Sequence, residues 1–274
     1  MPTIKLYHSA RHPNFGDAAC PLLIERLFNC KVEHAHYRDA ELFAIGSILG
    51  KIAPDRHNFL KSLLKPLLPE IMVWGSGFMY PPKAGVVPVR RFKVAALRGE
   101  RSKAELERVT GIKFQVPTGD AGLLFNRLLD APVEKKYTLG VIPHYRELGM
   151  AEYEHIAAAV PGAKIISVLD PVEKIIREIA ECETVVSSSL HGLIAADALN
   201  VPNRRLRHSG KVRGGDFKYD DYYSAFPVSP GAPLELDDAV KNPPSPAEIV
   251  EKYKITQSMV DEIRAGLIAA WPFK

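Results

Sequence analysis

The chain has 274 residues and a formal net charge of +4, with 46% hydrophobic and 25% charged residues, as in a globular protein with room for two cores. The mild positive charge suits an anionic substrate, but the basic residues do not form the aromatic-interleaved runs of a nucleic-acid binder. No apolar run is long enough to cross a bilayer, and residues 1–6 enter a strand directly, so we expect no signal peptide. The three cysteines, Cys20, Cys30 and Cys182, form no CxxC pair, which indicates reduced thiols and a cytoplasmic protein.

The first half of the chain alternates strand-like and helix-like segments. Apolar spacing predicts helices over residues 18–28 and 102–109, and Gly111 is a plausible stop for the second of these. Short apolar runs predict strands over residues 4–8, 31–36, 42–45, 71–74 and 93–97. A polar segment with a proline follows at 130–136 and is the best candidate for a linker.

The second half repeats this rhythm. Helices are predicted over residues 150–160, 172–182 and 190–199, and strands over residues 137–143, 163–169, 184–186 and 201–206. Six prolines between residues 227 and 246 predict a long loop, followed by amphipathic helices at 246–252 and 257–270 that we expect to dock back across the domains. The chain is therefore expected to have an α/β fold with two Rossmann-like, doubly wound domains facing a cleft, over residues 1–133 and 134–274.

The most informative motif follows the strand at residues 184–186. The chain there breaks into three serines, a leucine, a histidine and a glycine, and a helix of small residues follows at once. Ser188, Ser189, Leu190 and His191 should then lie where free backbone N–H groups and the helix dipole favour an anion. We expect Ser188 or Ser189 to cap this helix as well.

A second motif follows the first strand. Gly16 allows a tight turn, while Asn14 and Asp17 can cap the next helix; Asp17 can also face the cleft as a base. The sequence fits two interpretations of this segment equally well, a loop that only caps the helix and a loop with a function.

Two further strand ends carry glycines or a cation. Gly75, Ser76 and Gly77 let the backbone approach a ligand, but the full GxGxxG fingerprint is missing, which disfavours a dinucleotide. Arg98 is suited to hold a phosphate or carboxylate through paired hydrogen bonds, whereas Arg101 fits a surface ion pair better. Asp120 fits a helix cap better than an acid catalyst.

His144 follows the first strand of the second half and is expected in the cleft, although a lone histidine is often structural. Lys218 and Tyr222 belong to an aromatic, charged segment at residues 216–223, which suits closing a cleft or stacking on a sugar. A solvated surface helix is the equal alternative. Arg204, Arg205 and Arg207 either contact a phosphate or are merely exposed.

Taken in order, these motifs resemble the polysaccharide pyruvyl transferase family, and within it the succinoglycan-type ketal pyruvyl transferases; they lie at residues 14–17, 75–77, 98–102, 120, 189–194 and 218–222. The resemblance implies a fold like that of GT-B glycosyltransferases. It also implies phosphoenolpyruvate as donor, a saccharide as acceptor and a pyruvate ketal on two hydroxyls as product, in bacterial exopolysaccharide or capsule biosynthesis. The acceptor would lie on the 1–133 side and phosphoenolpyruvate on the 134–274 side.

By family analogy Arg98, Leu190 and His191 meet phosphoenolpyruvate. Some relatives carry an arginine before the Leu-His pair; this chain has Ser189 there, so Lys218 or Arg207 would supply the missing charge. His191 is then the best acid for protonating the enol, and Asp17 or His144 a base for the sugar hydroxyls. Arg98 and the helix amides would stabilise the leaving phosphate.

This scheme needs no metal and no cofactor, with phosphoenolpyruvate as co-substrate. If the acceptor is lipid-linked, the basic and apolar residues 51–68 would lie against the inner face of the cytoplasmic membrane, although a plain amphipathic helix explains them equally well. The competing hypotheses are a GT-B-type glycosyltransferase that uses a nucleotide sugar and a non-catalytic protein that binds a sugar or phosphate.

Overall fold

Parallel strands dominate the computed structural model, which describes residues 1–9, 14–54, 68–208 and 214–273. They form two five-stranded sheets, one from each half of the chain. An α/β fold with two parallel sheets was predicted, and it is confirmed. Residues 55–67, which form most of the expected membrane-facing segment, lie outside the described residues.

The first sheet has the order β2-β1-β3-β4-β5. Its strands are β1 (Thr3–Tyr7), β2 (Lys31–His34), β3 (Leu42–Phe43), β4 (Ile71–Ser76) and β5 (Phe92–Leu97). Helix α1 (Phe15–Phe28) follows β1, and α2 (Glu100–Thr110) follows β5 and ends at Gly111 in the left-handed conformation, as predicted. Residues 121–128 form a 3₁₀ helix, with the Asp120 side chain accepting from the Gly122 N–H at its start.

The second sheet has the order β10-β9-β8-β6-β7. Its strands are β6 (Tyr137–Ile142), β7 (Ala163–Ile165), β8 (Cys182–Ser187), β9 (Asn203–Arg207) and β10 (Leu234–Glu235). The helices of this half are α3 (Ala151–Ala159), α4 (Val172–Ala180), α5 (Leu190–Ala198), α6 (Phe217–Tyr223), α7 (Leu236–Lys241), α8 (Pro246–Lys252) and α9 (Gln257–Ala269).

The predicted loop between residues 227 and 246 was wrong in part. It contains β10, which pairs with β9, and α7, which buries Leu236 and Ala239. The sequence indicates these elements only weakly, because a strand of two residues and a helix of six residues lie among the prolines. The segment therefore extends the second sheet instead of travelling free of it.

The two sheets share one apolar core. It includes Leu6 of β1, Val185 of β8 and Leu193 of α5, joined through Leu123 of the 3₁₀ helix. The last helix, α9, also lies against the first half, because the Trp74 indole N–H donates to the Leu267 carbonyl at 2.8 Å. The domain boundary at residue 133 stays a prediction beside this shared core. In the described part of the chain, no helix is long and apolar enough to cross a membrane.

Candidate active site

A cavity of about 620 Å³ opens at the carboxyl ends of strands from both sheets. This is the edge at which open parallel sheets bind ligands, since the loops that follow neighbouring strands meet there. Seven of the predicted site residues line the cavity: Asn14, Asp17, His144, Ser189, Leu190, His191 and Lys218. Those from the first half follow β1, and most of those from the second half follow β6 and β8.

His191 lies in the first turn of α5 and packs directly against α1. A Cβ atom on Gly16 would overlap the His191 ring, so the glycine is what allows this approach. The His191 side chain is almost fully buried, and its Nε2 has no hydrogen-bond partner among the described residues. Burial, followed by the nearby charges of Lys218 and Arg98, lowers the pKa of His191 to about 3. A pKa this low favours the neutral imidazole near pH 7.

The loop before α1 holds its carboxylate by hydrogen bonds. Asp17 accepts from the Asn14 amide at 3.0 Å and from the Ser9 backbone N–H at 3.3 Å. Burial raises the pKa of Asp17 to about 6 despite these bonds, which places it in the range of a general base. Asn14 occupies the N-cap position of α1, but neither its side chain nor that of Asp17 makes a capping hydrogen bond, so the predicted capping role is confirmed in position only.

The helix cap predicted for Ser188 or Ser189 is absent as well. Ser189 occupies the N-cap position of α5, but its side chain makes no capping bond. Ser187 instead accepts a hydrogen bond from the Ser189 N–H at 3.0 Å. The Ser189 hydroxyl is therefore left at the cavity wall beside the amino end of the helix.

Lys218 extends from α6 into the cavity although its side chain is almost completely buried. Burial lowers the pKa of Lys218 to about 7, and Arg98 and Arg205 act in the same direction while Glu147 opposes them. Arg207, the other predicted source of charge, pairs with Asp216 and Glu235 and does not line the cavity. Of the two predicted sources of charge, Lys218 therefore lines the cavity together with Ser189, and Arg146 and Lys51 line it as well.

Arg98 does not line the cavity; its guanidinium is fully buried. Nε donates to Asp221 of α6 at 2.8 Å, Nη1 to the Ser47 hydroxyl at 2.6 Å and Nη2 to the Phe78 carbonyl at 2.6 Å. A Cβ on Gly77 would overlap this guanidinium, which explains a glycine at that position. Arg98 therefore connects the end of β5 to α6. Its positive charge acts on the cavity although its side chain does not line it.

A family model described as polysaccharide pyruvyl transferase matches residues 14–210, more than half of the chain. The chain belongs to the polysaccharide pyruvyl transferase family. The resemblance carried by the motifs is thereby confirmed, and so is the expectation of a transferase that acts in polysaccharide biosynthesis.

Two relatives of this family member extend the comparison. The chain is 23% identical over 232 residues to the uncharacterized protein L143 of Acanthamoeba polyphaga mimivirus, with 82% of this chain and 75% of that protein covered. It is 25% identical over 224 residues to the succinoglycan biosynthesis protein ExoV of Rhizobium meliloti (strain 1021), with 81% of this chain and 65% of that protein covered. The match thus spans just under two thirds of ExoV.

The remaining predicted residues lie behind the cavity of this pyruvyl transferase family member. Gly75 has a positive φ of 85°, and the Ser76 hydroxyl donates to the Ala44 carbonyl at 2.5 Å. Tyr222 is fully buried and donates to Asp197 at 2.6 Å, away from the cavity lining. Ser188 lies beneath the turn that carries His191, within a buried hydrogen-bond network.

Sequence reasoning missed two sets of residues. The first half contributes an aromatic and imidazole wall, formed by Tyr7, His8, His34, His36 and Tyr37 at the ends of β1 and β2. The second set is Glu147 and Tyr153, which bond to Ser188. A signal existed for the first set, because two strand ends carry adjacent histidines and tyrosines.

His144 lies at the cavity wall as predicted, and its pKa is lowered to about 3 by burial and by Lys218 and Arg146. The described residues contain no cluster of three or more histidine, cysteine, aspartate or glutamate side chains that would hold a metal ion. The lining therefore offers imidazoles from both halves, one carboxylate with a raised pKa at Asp17, and basic side chains that include Lys218 and Arg146.

Proposed function

We propose that this family member transfers a pyruvyl group from phosphoenolpyruvate to two hydroxyls of a saccharide, forming a pyruvate ketal and releasing phosphate. The observation that carries the proposal is the grouping of His191 and Lys218 at the amino end of α5. A buried cation and free helix amides attract a phosphate or carboxylate. A volume of about 620 Å³ is within the usual range for small-molecule sites and exceeds the need of phosphoenolpyruvate alone.

The first step is protonation of the enol at its methylene carbon. The lowered pKa of His191 favours its neutral form, so it needs a proton before it can act as an acid. Phosphoenolpyruvate brings negative charge beside the imidazole, and this charge raises the pKa of His191. Binding of the donor and uptake of the proton are thus linked, and the acid forms only when its substrate is present.

The remaining steps form two bonds to the same carbon. One sugar hydroxyl attacks the cationic carbon and gives its proton to a base, for which Asp17 and His144 are the candidates. Phosphate then leaves with the electron pair of its C–O bond, stabilised by Lys218 and the α5 amides, with Arg98 acting from behind the wall. The second hydroxyl closes the ketal and loses its own proton.

The same proposal assigns the halves of the molecule. Residues 1–133 would form the acceptor side, with Tyr7, His36 and Tyr37 as surfaces on which a sugar ring can stack, and residues 134–274 the phosphoenolpyruvate side of a GT-B-like arrangement. The acceptor would be a saccharide of an exopolysaccharide or capsule, carried on a lipid at the inner face of the cytoplasmic membrane. No cofactor takes part in this scheme.

The test is incubation with phosphoenolpyruvate and candidate oligosaccharides, with phosphate release and the mass of the product followed together. We expect one phosphate released for each pyruvyl group gained by the sugar. His191→Gln should abolish release, whereas His155→Gln on the exposed face of α3 should not change it. Turnover of a nucleotide sugar with no phosphate from phosphoenolpyruvate would instead favour a glycosyltransferase, and binding without turnover a non-catalytic protein.

A further inference from the structure

A fully buried carboxylate lies directly behind the cavity wall. Glu147 is 0% exposed and its Oε2 accepts two hydrogen bonds, from the Ser188 hydroxyl at 2.5 Å and from the Tyr153 hydroxyl at 2.6 Å. Both hydroxyls therefore converge on the same oxygen of the Glu147 side chain. The arrangement fixes the direction in which the Ser188 hydroxyl proton points.

That direction matters because Ser188 connects three separate pieces of the cavity wall. The Ser188 hydroxyl donates its proton to Glu147, and its oxygen accepts a hydrogen bond from the His144 backbone N–H at 2.9 Å. The Ser188 carbonyl accepts from the Tyr219 hydroxyl at 2.6 Å. One residue thus ties together the loop after β6, the turn before α5 and helix α6, and these carry His144, His191 and Lys218.

The second oxygen of the carboxylate has a different environment. Glu147 Oε1 is buried and has no hydrogen-bond partner among the described residues. The charge of Glu147 acts on Lys218, where it opposes the effects of burial, Arg98 and Arg205. His144 and His191 also act on or respond to the charge of Lys218, and both have lowered pKa values. Among these neighbours, Glu147 is the group that raises the pKa of Lys218.

We propose that Glu147 is a positioning residue of the active site, which orients Ser188 and through it holds the His144 loop, the His191 turn and helix α6 in place around the cavity. This role rests on the hydrogen bonds of Ser188. Its consequence for binding of phosphoenolpyruvate rests on the proposed function.

Glu147→Gln separates charge from shape, since glutamine has nearly the same volume and retains one acceptor oxygen. Without the negative charge, Lys218 loses its proton at a lower pH. We expect the KM for phosphoenolpyruvate to rise about 10- to 100-fold at pH 7.5. The alkaline limb of the kcat/KM profile, which reports free-enzyme groups, should move to lower pH.

Tyr153→Phe tests orientation while the charge remains. It removes the contacts of the Tyr153 hydroxyl with Glu147 at 2.6 Å and with the Ser188 hydroxyl at 2.9 Å, so we expect a smaller KM rise and an alkaline limb at its wild-type pH. The matched control is Tyr253→Phe, because the Tyr253 hydroxyl also donates to a buried carboxylate, Asp197, at 2.7 Å but does not line the cavity. Tyr253→Phe should lower the melting temperature without moving KM or the pH profile.

A readout that needs no turnover separates this inference from the proposed function. Imidazole NMR signals of His144 and His191 are recorded for wild type, Tyr153→Phe and Tyr253→Phe, with and without inorganic phosphate. Positioning predicts that Tyr153→Phe shifts the His144 signal and that Tyr253→Phe leaves it in place. Should the wild type release no phosphate from phosphoenolpyruvate, the proposed function fails while these signals still decide the orienting role.

Two results would overturn the proposal. One is a folded Glu147→Gln variant whose KM and alkaline limb match those of the wild type. The other is an effect of Tyr153→Phe on His144 no larger than that of Tyr253→Phe. If Glu147→Gln does not fold, Tyr153→Phe and its control decide the matter alone.

Discussion

The catalytic imidazole of the proposed reaction depends on a neighbour that has no side chain. His191 belongs to α5 of the second half, and the space for its ring is left by Gly16 of α1 in the first half. The ring is thus placed between the amino ends of two helices, where partial positive charge and burial both disfavour its protonated form.

Gly16→Ala should displace the His191 ring, because the new methyl group would occupy the space of the imidazole. Since a misplacement of about 1 Å costs roughly 100-fold in rate, we expect at least that loss in phosphate release. Gly266→Ala in α9 is the control, where the added Cβ meets only the Pro117 Cβ at 3.3 Å. Full activity of Gly16→Ala would show that the close contact has no catalytic consequence.

Of the histidines that line the cavity, His144 and His191 should not titrate between pH 5 and 8 when no anion is added. Burial lowers the pKa of both to about 3, below the ordinary value of 6.5. Added phosphate or phosphoenolpyruvate should raise the pKa of His191, because an adjacent anion favours the imidazolium. NMR titration of ring signals measures this directly, and a His191 midpoint near 6.5 without ligand would contradict it.

Among the elements, helix α6 makes hydrogen bonds to both halves of the molecule. Its Asp221 accepts from Arg98 Nε at 2.8 Å, from the Ser102 N–H at 2.5 Å and from the Ser102 hydroxyl at 2.6 Å. On the other side of the helix, Tyr222 bonds to Asp197 of α5. Lys218 therefore enters the cavity from a helix that is fixed to both halves.

Asp221→Asn should destabilise the protein strongly, since it leaves the buried Arg98 charge uncompensated. Breaking a buried ion pair costs about 3–5 kcal/mol in the free energy of unfolding. Asp216→Asn is the comparison, because the exposed pairs of Asp216 with Arg205 and Arg207 are expected to contribute about 0–1 kcal/mol. Urea unfolding curves give both values, and equal costs would refute the structural role of Arg98.

The elements themselves were largely predictable. Helix α5 and strand β8 follow from a β-branched run, three serines and a series of small residues. The role of Arg98 could not be predicted, because its partner Asp221 is 123 residues away and no local sequence pattern indicates such a pair. The contact of Glu147 with Ser188 could not be predicted for the same reason, since Ser188 is 41 residues further along the chain.

At the scale of the whole molecule, the two sheets were predictable and their shared core was not. Repeated strand-and-helix spacing predicts each sheet separately. The contacts that unite them, such as the Trp74–Leu267 hydrogen bond and the Arg264 side chain that donates to Leu123 and Ala198 carbonyls, join residues that are far apart in sequence. Only the folded chain brings them together.

The shared core predicts one cooperative unfolding transition rather than two. Trp74 and Trp271 lie 4.9 Å apart between ring centroids, so tryptophan fluorescence reports where the first sheet meets the C-terminal segment. Far-UV circular dichroism reports the whole chain. The two curves in urea should coincide. Separate midpoints would mean that residues 1–133 and 134–274 unfold independently.

The contact between Gly16 and His191 also limits how this enzyme can be recombined with its relatives. A chimera that joins the first half of one family member to the second half of another inherits the glycine and the imidazole from different parents. Exchange of acceptor specificity by swapping halves will therefore succeed only where the incoming helix start leaves the same empty volume. The residues at these two positions therefore indicate whether two halves can be combined, and an alignment of the parents shows both.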